Sequence, residues 1–573
     1  MGIVKFKKFI NNYNVKFKKN NLENVVSLFI DTNGIFHKAK AEVYKIARNR
    51  DGAYIYPQSE RDKILKKDPA KLEKLHIQTI IQDLQAILEK FKPSGTLILA
   101  PDGMAPAAKM QQQKERRYGF NPEEDKLFMG ASISPGTPFM IKLDTAIRKW
   151  LSKGGDSFPQ KTIYSSHLCP GEGEHKIFDF IRNHSLYTSR GKHIIYGADG
   201  DLFIISLFSP LKNIYLFDED NKDYYNIDVL KRLITTDMKY DFSKDFAIDV
   251  NLIRDFCFLT FLIGNDFIHR MPNLYDTKTS MDILMSVYKQ NAKSLTNRYD
   301  KIIWPHLLSF FKILRDYKIG KYDLYTFSVY SNYTEQFNPK WVPYPEAREA
   351  IDIYNLDGEL LKEANYDPKD HRVSFNLKRF SKAWYNKQFV PHDLRLREMY
   401  KNGKYYGEKE VSNMCKFYLK ILQWCLYYYN RGDSTINKMI FYPYHFTPLL
   451  ESLINYLEFS LTTKDDSLDK GILSKSGYIL TPVHGLMLIL PPANKSLIPE
   501  PFRSLYSGKL GSLTPLEFQT LPKEGTDADH VKIKIIPPIN PFLVYKVVQS
   551  SGYIVDDIYK TEQPLIIIKN KQN

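Results

Sequence analysis

The chain has 573 residues, of which 43% are hydrophobic and 25% charged, a composition that excludes a disordered protein. Lysine and arginine outnumber aspartate and glutamate by 81 to 65, and the net charge of +16 favours a polyanionic partner. The chain has 4 cysteines, and because none of them forms a CxxC pair, they argue against a disulfide framework. With no signal-peptide pattern and no apolar run long enough to span a bilayer, we expect a soluble protein without membrane attachment. The expected compartment is the cytoplasm, with the nucleus left open.

In the first half of the chain, short apolar runs alternate with helical patterns, and several of these runs lead to an aspartate. Residues 25–30 lead to Asp31, residues 96–100 to Asp102, and residues 193–196 to Asp199. The alternation predicts an α/β fold with a mainly parallel sheet that is covered on both faces. Since the carboxyl ends of parallel strands meet at one edge, we expect the three carboxylates to be neighbours. Each of them alone would be interpreted as a helix cap.

Four further acidic residues lie at other junctions of the chain. The sequence PGEGEHKIFDFIR predicts a helix that begins near Glu172, with Glu172 and Glu174 in or beside its first turn. Asp199 and Asp201 are two positions apart and would share one face if the chain is extended there. Asp266 follows another apolar run, in FLIGNDF.

The seven acidic residues together predict a metal site. Carboxylates that are buried together repel one another and their pKa values rise, unless cations lie between them. A set of oxygen ligands without cysteine or histidine favours Mg²⁺, or Mn²⁺, over zinc. Two such ions roughly 3.5–4 Å apart can activate a water and stabilise the leaving oxygen in phosphodiester hydrolysis.

The segment AAKMQQQKERRY predicts a helix on which Lys109, Gln113, Arg116 and Arg117 share one face. Three cations and an amide make a poor core face, but they are good ligands for phosphate oxygens. A solvated basic face is the alternative interpretation.

A series of short motifs runs through the chain. They are MGIVKF at the start, DTNGIFH at 31–37, APDGMAPAAKMQQQKERRY at 100–118, SISPGTPFM at 132–140, PGEGEHK at 170–176, YGADGDL at 196–202, IGNDF at 263–267, LQWCLYYYNRG at 422–432, YPYHFTP at 442–448 and LMLILPPANKSLIPEPFR at 486–503. In order and spacing, these motifs closely resemble the Xrn family of 5′→3′ exoribonucleases. The resemblance covers most of residues 1–275 and 375–510.

The resemblance implies a PIN/FEN-like α/β nuclease core followed by a mostly helical second region. The implied division is a nuclease domain at 1–285, a divergent connection at 286–375 and a helical C-terminal domain at 376–573. The chain would be a compact, catalytic-core-only member of the family. From about Lys532, alternating apolar and polar residues predict additional strands.

The resemblance also implies the roles of individual residues. The family's metal-binding acids correspond to Asp31, Asp102, Glu172, Glu174, Asp199, Asp201 and Asp266. The 5′-phosphate pocket corresponds to Lys109, Gln113, Arg116 and Arg117, and His37 corresponds to the residue that stacks on the first base. The implied activity is two-metal hydrolysis of 5′-monophosphorylated single-stranded RNA to mononucleotides, in RNA decay.

One segment departs from the family pattern. The stretch DSTINKMIF, which follows Gly432, is longer by two residues and lacks the tryptophan that helps to stack nucleotides in the family. We expect weaker processivity unless Phe441 or Tyr442 takes the place of that tryptophan.

Two alternative functions remain open from the sequence. A flap or structure-specific DNA nuclease would share the acidic core, but it would lack the predicted phosphate helix and the second region. A non-catalytic RNA-binding scaffold would have no need of all seven acids.

Overall fold

The computed structural model of the chain describes most of its two halves and little of the segment between them. The described residues are 3–319 apart from 4, 20–21, 50–51, 120–121, 184–190, 240–248, 272–273 and 275–276, several short pieces between 320 and 406, and 407–569 apart from 475–477, 479, 523–531 and 557–559. Half of the predicted connection at 286–375 therefore lies outside the described residues.

An eight-stranded sheet forms the centre of the first half. Its strands are β1 (Lys16–Lys18), β2 (Val25–Asp31), β3 (Thr96–Ala100), β4 (Lys161–Tyr164), β5 (Lys192–Tyr196), β6 (Ile214–Asp218), β7 (Asp223–Asn226) and β8 (Leu565–Ile568). They lie in the order β1-β7-β6-β5-β2-β3-β4-β8. The five strands from β6 to β4 are parallel to their neighbours, and the antiparallel pairs lie towards the two edges. The predicted α/β fold with a mainly parallel sheet is confirmed.

Helices cover both faces of this sheet. The helices are α1 (Phe6–Ile10), α2 (Asn33–Val43), α3 (Gln58–Leu65), α4 (Pro69–Phe91), α5 (Ala107–Arg117), α6 (Pro122–Leu127), α7 (Pro138–Lys153), α8 (Gly173–Asn183), α9 (Gly200–Phe208), α10 (Ile227–Met238), α11 (Val250–Leu262), α12 (Thr277–Asn291), α13 (Trp304–Arg315), α14 (Glu408–Arg431), α15 (Leu450–Thr462), α16 (Pro482–Ile489), α17 (Glu500–Ser507) and α18 (Pro541–Ser550). Short 3₁₀ turns lie at Asn11–Tyr13, Gly130–Ser132, Pro492–Leu497 and Gly511–Leu513. Three small antiparallel groups of strands complete the description: Lys318–Ile319 with Tyr322–Asp323, Arg372–Ser374 with Ser328–Tyr330 and Asn365–Asp367, and Gln519–Pro522 with Lys532–Ile535.

The side chains of each central strand alternate between two hydrophobic cores. In β2, Leu28 and Ile30 face the core that contains α2, α4 and α7, whereas Phe29 faces the core that contains α8 to α15. This is why the strand is an almost continuous apolar run, since both of its faces are buried. The carboxyl ends of β2, β3 and β5 therefore lie at one edge of the sheet, between the two helical layers.

The second half of the chain packs against the first through two surfaces. Helix α14 lies within the large core beside α11, and its residue Trp424 is completely buried. A separate core joins α16, α17 and α18 to Met110 on α5, the helix of the predicted phosphate pocket. Within the described ranges, no helix is both long and apolar enough to cross a membrane.

The prediction of additional strands near the C-terminal end is confirmed. The strands Lys532–Ile535 and Leu565–Ile568 lie where the alternating pattern predicts strands. The second of these, β8, pairs with β4 at the edge of the central sheet.

Candidate functional site

The first two acids of the site lie at the ends of neighbouring parallel strands. Asp31 is the last residue of β2, and Asp102 lies two residues beyond β3. Asn33, at the start of α2, holds the pair together: its Nδ2 donates to Asp102 Oδ2 at 2.7 Å, and its Oδ1 accepts from the Asp102 backbone N–H at 3.2 Å. The Asn33 backbone N–H also donates to Asp31 Oδ1, at 3.2 Å. Asn33 was not among the predicted site residues.

The N-terminus of α8 brings two further acids to the same edge. The backbone N–H of Gly173 donates to Asp102 Oδ1 at 2.8 Å, which places Glu172 and Glu174 beside the strand ends. One carboxylate oxygen from each of Asp31, Asp102 and Glu174 lies within 4.8 Å of the others. The predicted helix start near Glu172 is confirmed, since α8 begins at Gly173.

The remaining three acids come from the segment after β5 and the loop after α11. Asp199 is the N-cap of α9, where its Oδ1 accepts from the Leu202 backbone N–H at 2.9 Å, and Asp201 lies in the first turn of that helix. The segment is therefore helical, and the extended arrangement considered for Asp199 and Asp201 is wrong, because the cap starts a helix between them. Asp266 follows α11. After burial, the negative charges of Asp266 and Asp199 are the next causes that raise the pKa of Asp201.

Lys109 connects the two groups of acids. Its ammonium lies 2.5 Å from Glu172 Oε2 and 2.7 Å from Asp266 Oδ2. Its side chain is 9% exposed, so these ion pairs are shielded from water. Both carboxylates raise the pKa of Lys109 well above its ordinary value, in spite of its burial. In this structure Lys109 is thus a counter-ion of the acids; its predicted role in binding a 5′-phosphate stays a prediction.

Two tyrosines of α14 reach the same acids from the second half of the chain. Tyr428 donates its hydroxyl to Glu172 Oε1 at 2.8 Å, and Tyr429 donates to Asp201 Oδ1 at 2.5 Å. Both tyrosines were missed as site residues. The sequence contained one signal for them, a run of three tyrosines within a predicted helix. A buried tyrosine hydroxyl usually has a hydrogen-bond partner, so this run could have indicated contacts with polar groups elsewhere in the chain.

Burial and mutual repulsion change the charge of the cluster. Burial is the largest cause of the raised pKa values, which reach about 7 for Asp31, Glu172 and Asp201 and lie well above the ordinary value for Glu174. The opposite holds at Asp266, where the ion pair with Lys109 outweighs burial and lowers the pKa. Burial and mutual repulsion thus both favour the protonated form of these carboxyl groups, and a bound cation would offset both effects.

The donor set fits a divalent cation. Asp31, Asp102 and Glu174 offer three oxygens within reach of one another, which is the ligand chemistry that Mg²⁺ and Mn²⁺ prefer. A second group combines Glu172 and Glu174 with a ring nitrogen of His175. Burial holds the pKa of His175 well below its ordinary value, so its ring is neutral and has a lone pair to offer. The prediction of an oxygen-only ligand set did not include this histidine.

The predicted phosphate helix is α5, with its four residues in different environments. Arg117 and Gln113 are buried, and Arg117 donates from Nη2 to Ser134 Oγ at 2.7 Å. Burial, and after it Arg116, lowers the pKa of Arg117 to about 9, which still leaves the guanidinium charged at neutral pH. Arg116 is exposed, and among the described residues neither arginine has a carboxylate within ion-pair distance. The two guanidinium groups therefore lie near the acids but form no direct ion pair with them among the described residues.

His37 lies close to these arginines. Burial is the main reason that the pKa of His37 falls to about 3, and the charges of Lys40, Arg116 and Arg117 add to this effect. The imidazole is consequently neutral. A neutral aromatic ring is compatible with stacking on a base. Its predicted stacking role remains a prediction.

The segment that departs from the family pattern packs against the site. The backbone carbonyl of Lys438 accepts from the first backbone N–H of α5, at Ala107, at 2.7 Å. Tyr442 is 3% exposed and donates its hydroxyl to the Phe446 carbonyl at 2.6 Å, so the suggestion that its ring stacks on a nucleotide is wrong. Phe441 is partly buried between two hydrophobic cores.

Two family models match the chain. The model described as the N-terminus of XRN 5′-3′ exonucleases matches residues 1–127 and 119–220. The model described as the Xrn1 helical domain matches residues 245–301 and 394–540. Together the two models match both halves of the chain that carry the site.

Similar proteins share low but extensive identity with the chain. It is 24% identical to 5′-3′ exoribonuclease 1 of Schizosaccharomyces pombe, over 90% of this chain and 45% of that protein. The Homo sapiens protein of the same name is 25% identical, over 89% of this chain and 32% of that protein. The chain thus spans less than half the length of these relatives. Among solved structures, the catalytic core of Rad2 in complex with DNA is similar over 56% of this chain and 84% of that chain, with a TM-score of 0.30 and 12% identity, which supports no further argument.

Proposed function

The chain belongs to the Xrn family, and from this premise we propose that it is a 5′→3′ exoribonuclease. Its substrate would be single-stranded RNA with a 5′-monophosphate, and its products mononucleotides. The observation that carries the proposal is the position of the seven acids beside two arginines that have no carboxylate partner among the described residues. The proposed domain organisation is the one predicted from the sequence: a nuclease domain at 1–285, a connection at 286–375 and a helical domain at 376–573. The proposed setting is RNA decay in the cytoplasm.

The acids would hold two divalent cations, Mg²⁺ or Mn²⁺. Asp31, Asp102 and Glu174 would supply the oxygens for one ion, and Asp201 and Asp266 would help to hold the other. When bound, such ions supply an activated water and neutralise charge on the leaving oxygen of the phosphodiester. The fit rests on the chemistry of the donor set: buried carboxylates whose pKa values are raised by burial and by the charges of their acidic neighbours, a repulsion that a bound cation would offset.

The residues of the chain select the end of the RNA. A terminal monophosphate would supply the negatively charged partner that Arg116 and Arg117 lack among the described residues. Each guanidinium can form two hydrogen bonds with it. Gln113 can add an amide donor from the same helix. An RNA with a 5′-hydroxyl would not form these bonds. A cap or triphosphate is larger than a single phosphate group and would not fit the same pocket. His37 would stack on the first base, an interaction that tolerates any sequence.

The test uses one RNA sequence with four different 5′ ends: monophosphate, hydroxyl, triphosphate and cap. We expect Mg²⁺-dependent release of mononucleotides from the monophosphate form alone. A flapped DNA of matched length serves as the competing substrate, and preferred cleavage of that DNA would favour the flap-nuclease alternative. Binding of RNA without cleavage in either Mg²⁺ or Mn²⁺ would favour the scaffold alternative.

The metal assignment has a separate test. Replacing Asp201 with Ala should abolish hydrolysis but leave RNA binding largely intact, because the acids stabilise the transition state whereas the basic and stacking residues hold the strand. Asp199→Ala should behave in the same way. Asp62→Ala removes an exposed carboxylate of α3 and is the matched control. Full turnover by Asp201→Ala in Mg²⁺ would contradict the assignment.

A further inference from the structure

The C-terminal end of α14 carries three consecutive tyrosines, Tyr427 to Tyr429, and two of them end on acids of the site. Tyr428 OH lies 2.8 Å from Glu172 Oε1, and Tyr429 OH lies 2.5 Å from Asp201 Oδ1. These partners are 256 and 228 residues apart in sequence. The second half of the chain thus contacts one acid from each of two separate elements of the first half.

Aromatic neighbours fix the orientation of both tyrosine rings. The ring of Tyr428 stacks on His175 with 3.6 Å between the ring centroids, and Phe267 lies 5.3 Å from it. The ring of Tyr429 lies 5.2 Å from Phe261 and 5.8 Å from Phe267. His175 directly follows Glu174, and Phe267 directly follows Asp266. The neighbours that hold the tyrosines therefore belong to the same segments as the acids.

In both hydrogen bonds the tyrosine hydroxyl is the donor and the carboxylate oxygen is the acceptor. The ionised form of a carboxylate, which is the form that binds a cation, only accepts hydrogen bonds, so towards this form the tyrosine donates and occupies one oxygen. At Glu172 the division is visible, since Oε1 receives Tyr428 while Oε2 faces the ammonium of Lys109 at 2.5 Å. One oxygen is thereby tied to α14, and the other is turned towards the positive charge at the centre of the site.

We infer that Tyr428 and Tyr429 are positioning residues that orient Glu172 and Asp201 for binding of divalent cations. The inference rests on the proposed function, because it assumes that these acids are metal ligands. Hydrogen bonds from outside the ligand set fix the orientation of ligands, and their loss typically weakens metal binding by about 10- to 100-fold. On this view α14 completes the metal site, and the nuclease region alone would contain the acids without their full support.

The test compares three phenylalanine variants. Tyr428→Phe and Tyr429→Phe remove only a hydroxyl and keep the ring, whereas Tyr427→Phe removes a hydroxyl from the same helix whose ring packs against Arg431. Free Mn²⁺ is measured by electron paramagnetic resonance during titration of each protein. We expect about 10- to 100-fold weaker Mn²⁺ binding in the first two variants and unchanged binding in Tyr427→Phe.

Kinetics on 5′-phosphorylated RNA provide a second readout. The kcat at low Mn²⁺ should fall in the first two variants while KM for RNA stays the same, and excess Mn²⁺ should restore the rate, which a packing defect would not permit. Equal Mn²⁺ affinity in wild type, Tyr428→Phe and Tyr429→Phe would overturn the inference, as would an equal loss in Tyr427→Phe. A wild-type protein that binds no Mn²⁺ and cleaves no RNA would instead contradict the proposed function itself.

Discussion

Arg116 and Arg117 are neighbours on α5, yet their surroundings differ. Arg117 is buried and bonded to the neutral hydroxyl of Ser134, with donor distances of 2.7 Å and 3.2 Å. Arg116 is exposed, and the acids Asp266 and Asp102 contribute to its electrostatic surroundings. An exposed guanidinium is the better target for substitution, because its loss leaves no buried cavity.

Replacing Arg116 with Ala should reduce kcat/KM for 5′-phosphorylated RNA by about 10- to 100-fold. The expected loss corresponds to one charge-assisted hydrogen-bonding group, about 1.5–3 kcal/mol. The same RNA with a 5′-hydroxyl should be affected much less, since it lacks the charge that Arg116 would bind. Arg232→Ala, which removes an exposed arginine of α10, is the control. If Arg116→Ala slowed both RNAs equally, Arg116 would belong to a general RNA track.

For the candidate site residues, the sequence predicted which residue types come together better than it predicted the contacts of each side chain. The seven acids and the basic face of α5 were recognisable because their chemistry recurs in short motifs. The pairing of Lys109 with Glu172 and Asp266 was not, since it depends on side-chain positions from three separate segments. The missed residues Asn33, Tyr428 and Tyr429 act through hydrogen bonds to partners distant in sequence.

At the level of elements, the contact between α8 and the sheet determines where Glu172 and Glu174 lie. A Cβ atom at Gly173 would lie 2.4 Å from the Ala100 carbonyl and 2.7 Å from Asp31 Oδ1. Both distances are shorter than any normal contact, and the first involves backbone at the end of β3. Only glycine lets the helix approach the strand end this closely.

Gly173→Ala should therefore destabilise the protein by about 1–3 kcal/mol, the usual cost of overpacking, and should also reduce hydrolysis. The activity falls because the new methyl group displaces Asp31 or moves α8 away from it. Gly34→Ala is a matched control in α2, where the added Cβ meets nothing within 4 Å. Alanine there should leave stability unchanged or raise it by up to about 1 kcal/mol, since alanine favours helix. Chemical denaturation of both variants measures the difference, and equal stability of the two would show that α8 adapts freely.

The elements of the first half that carry the candidate site residues were predictable because their signals are local. The apolar runs of β2, β3 and β5 end within one or two residues of the predicted positions, and the helix after Glu172 begins where its glycine and apolar spacing indicate. The arrangement of Asp199 and Asp201 was less certain, since their spacing suits an extended strand as well as a capped helix. The hydrogen bond from Leu202 to Asp199 decides between these possibilities.

Across the whole molecule, distant parts of the chain support the site from several directions. Lys114 of α5 donates to the carbonyls of Leu513 and Pro537, both at 2.7 Å, so the C-terminal region is bonded to the helix that carries the predicted phosphate pocket. Strand β8 joins the central sheet about 400 residues after its partner β4, as the register of Ile567 with Thr162 illustrates. No local pattern predicts such a pairing, because alternation identifies a strand but not its neighbour.

The sheet edge formed by β8 also borders the segment that leads to Glu172. Glu562 accepts from Arg148 Nη2 and from Ser166 Oγ, and its backbone N–H donates to the Leu168 carbonyl at 3.3 Å. Ser166 and Leu168 lie between β4 and the PGEGE sequence. Removing β8 should thus affect the site as well as the sheet.

A chain that ends at residue 560 should be less stable than the full chain by on the order of 3 kcal/mol. The reason is that Leu565 and Ile567, which are partly buried against the core beside the sheet, would no longer cover it; a fully buried aliphatic side chain contributes about 1.5–3 kcal/mol, so the lower end of that range is expected for each of them. The hydrolysis rate should fall too, because the segment before Glu172 loses its contacts with Glu562. A chain that ends at residue 569 keeps β8 and is the matched control. Thermal denaturation and cleavage of 5′-phosphorylated RNA are measured for both, and identical melting temperatures would mean that the sheet does not need its last strand.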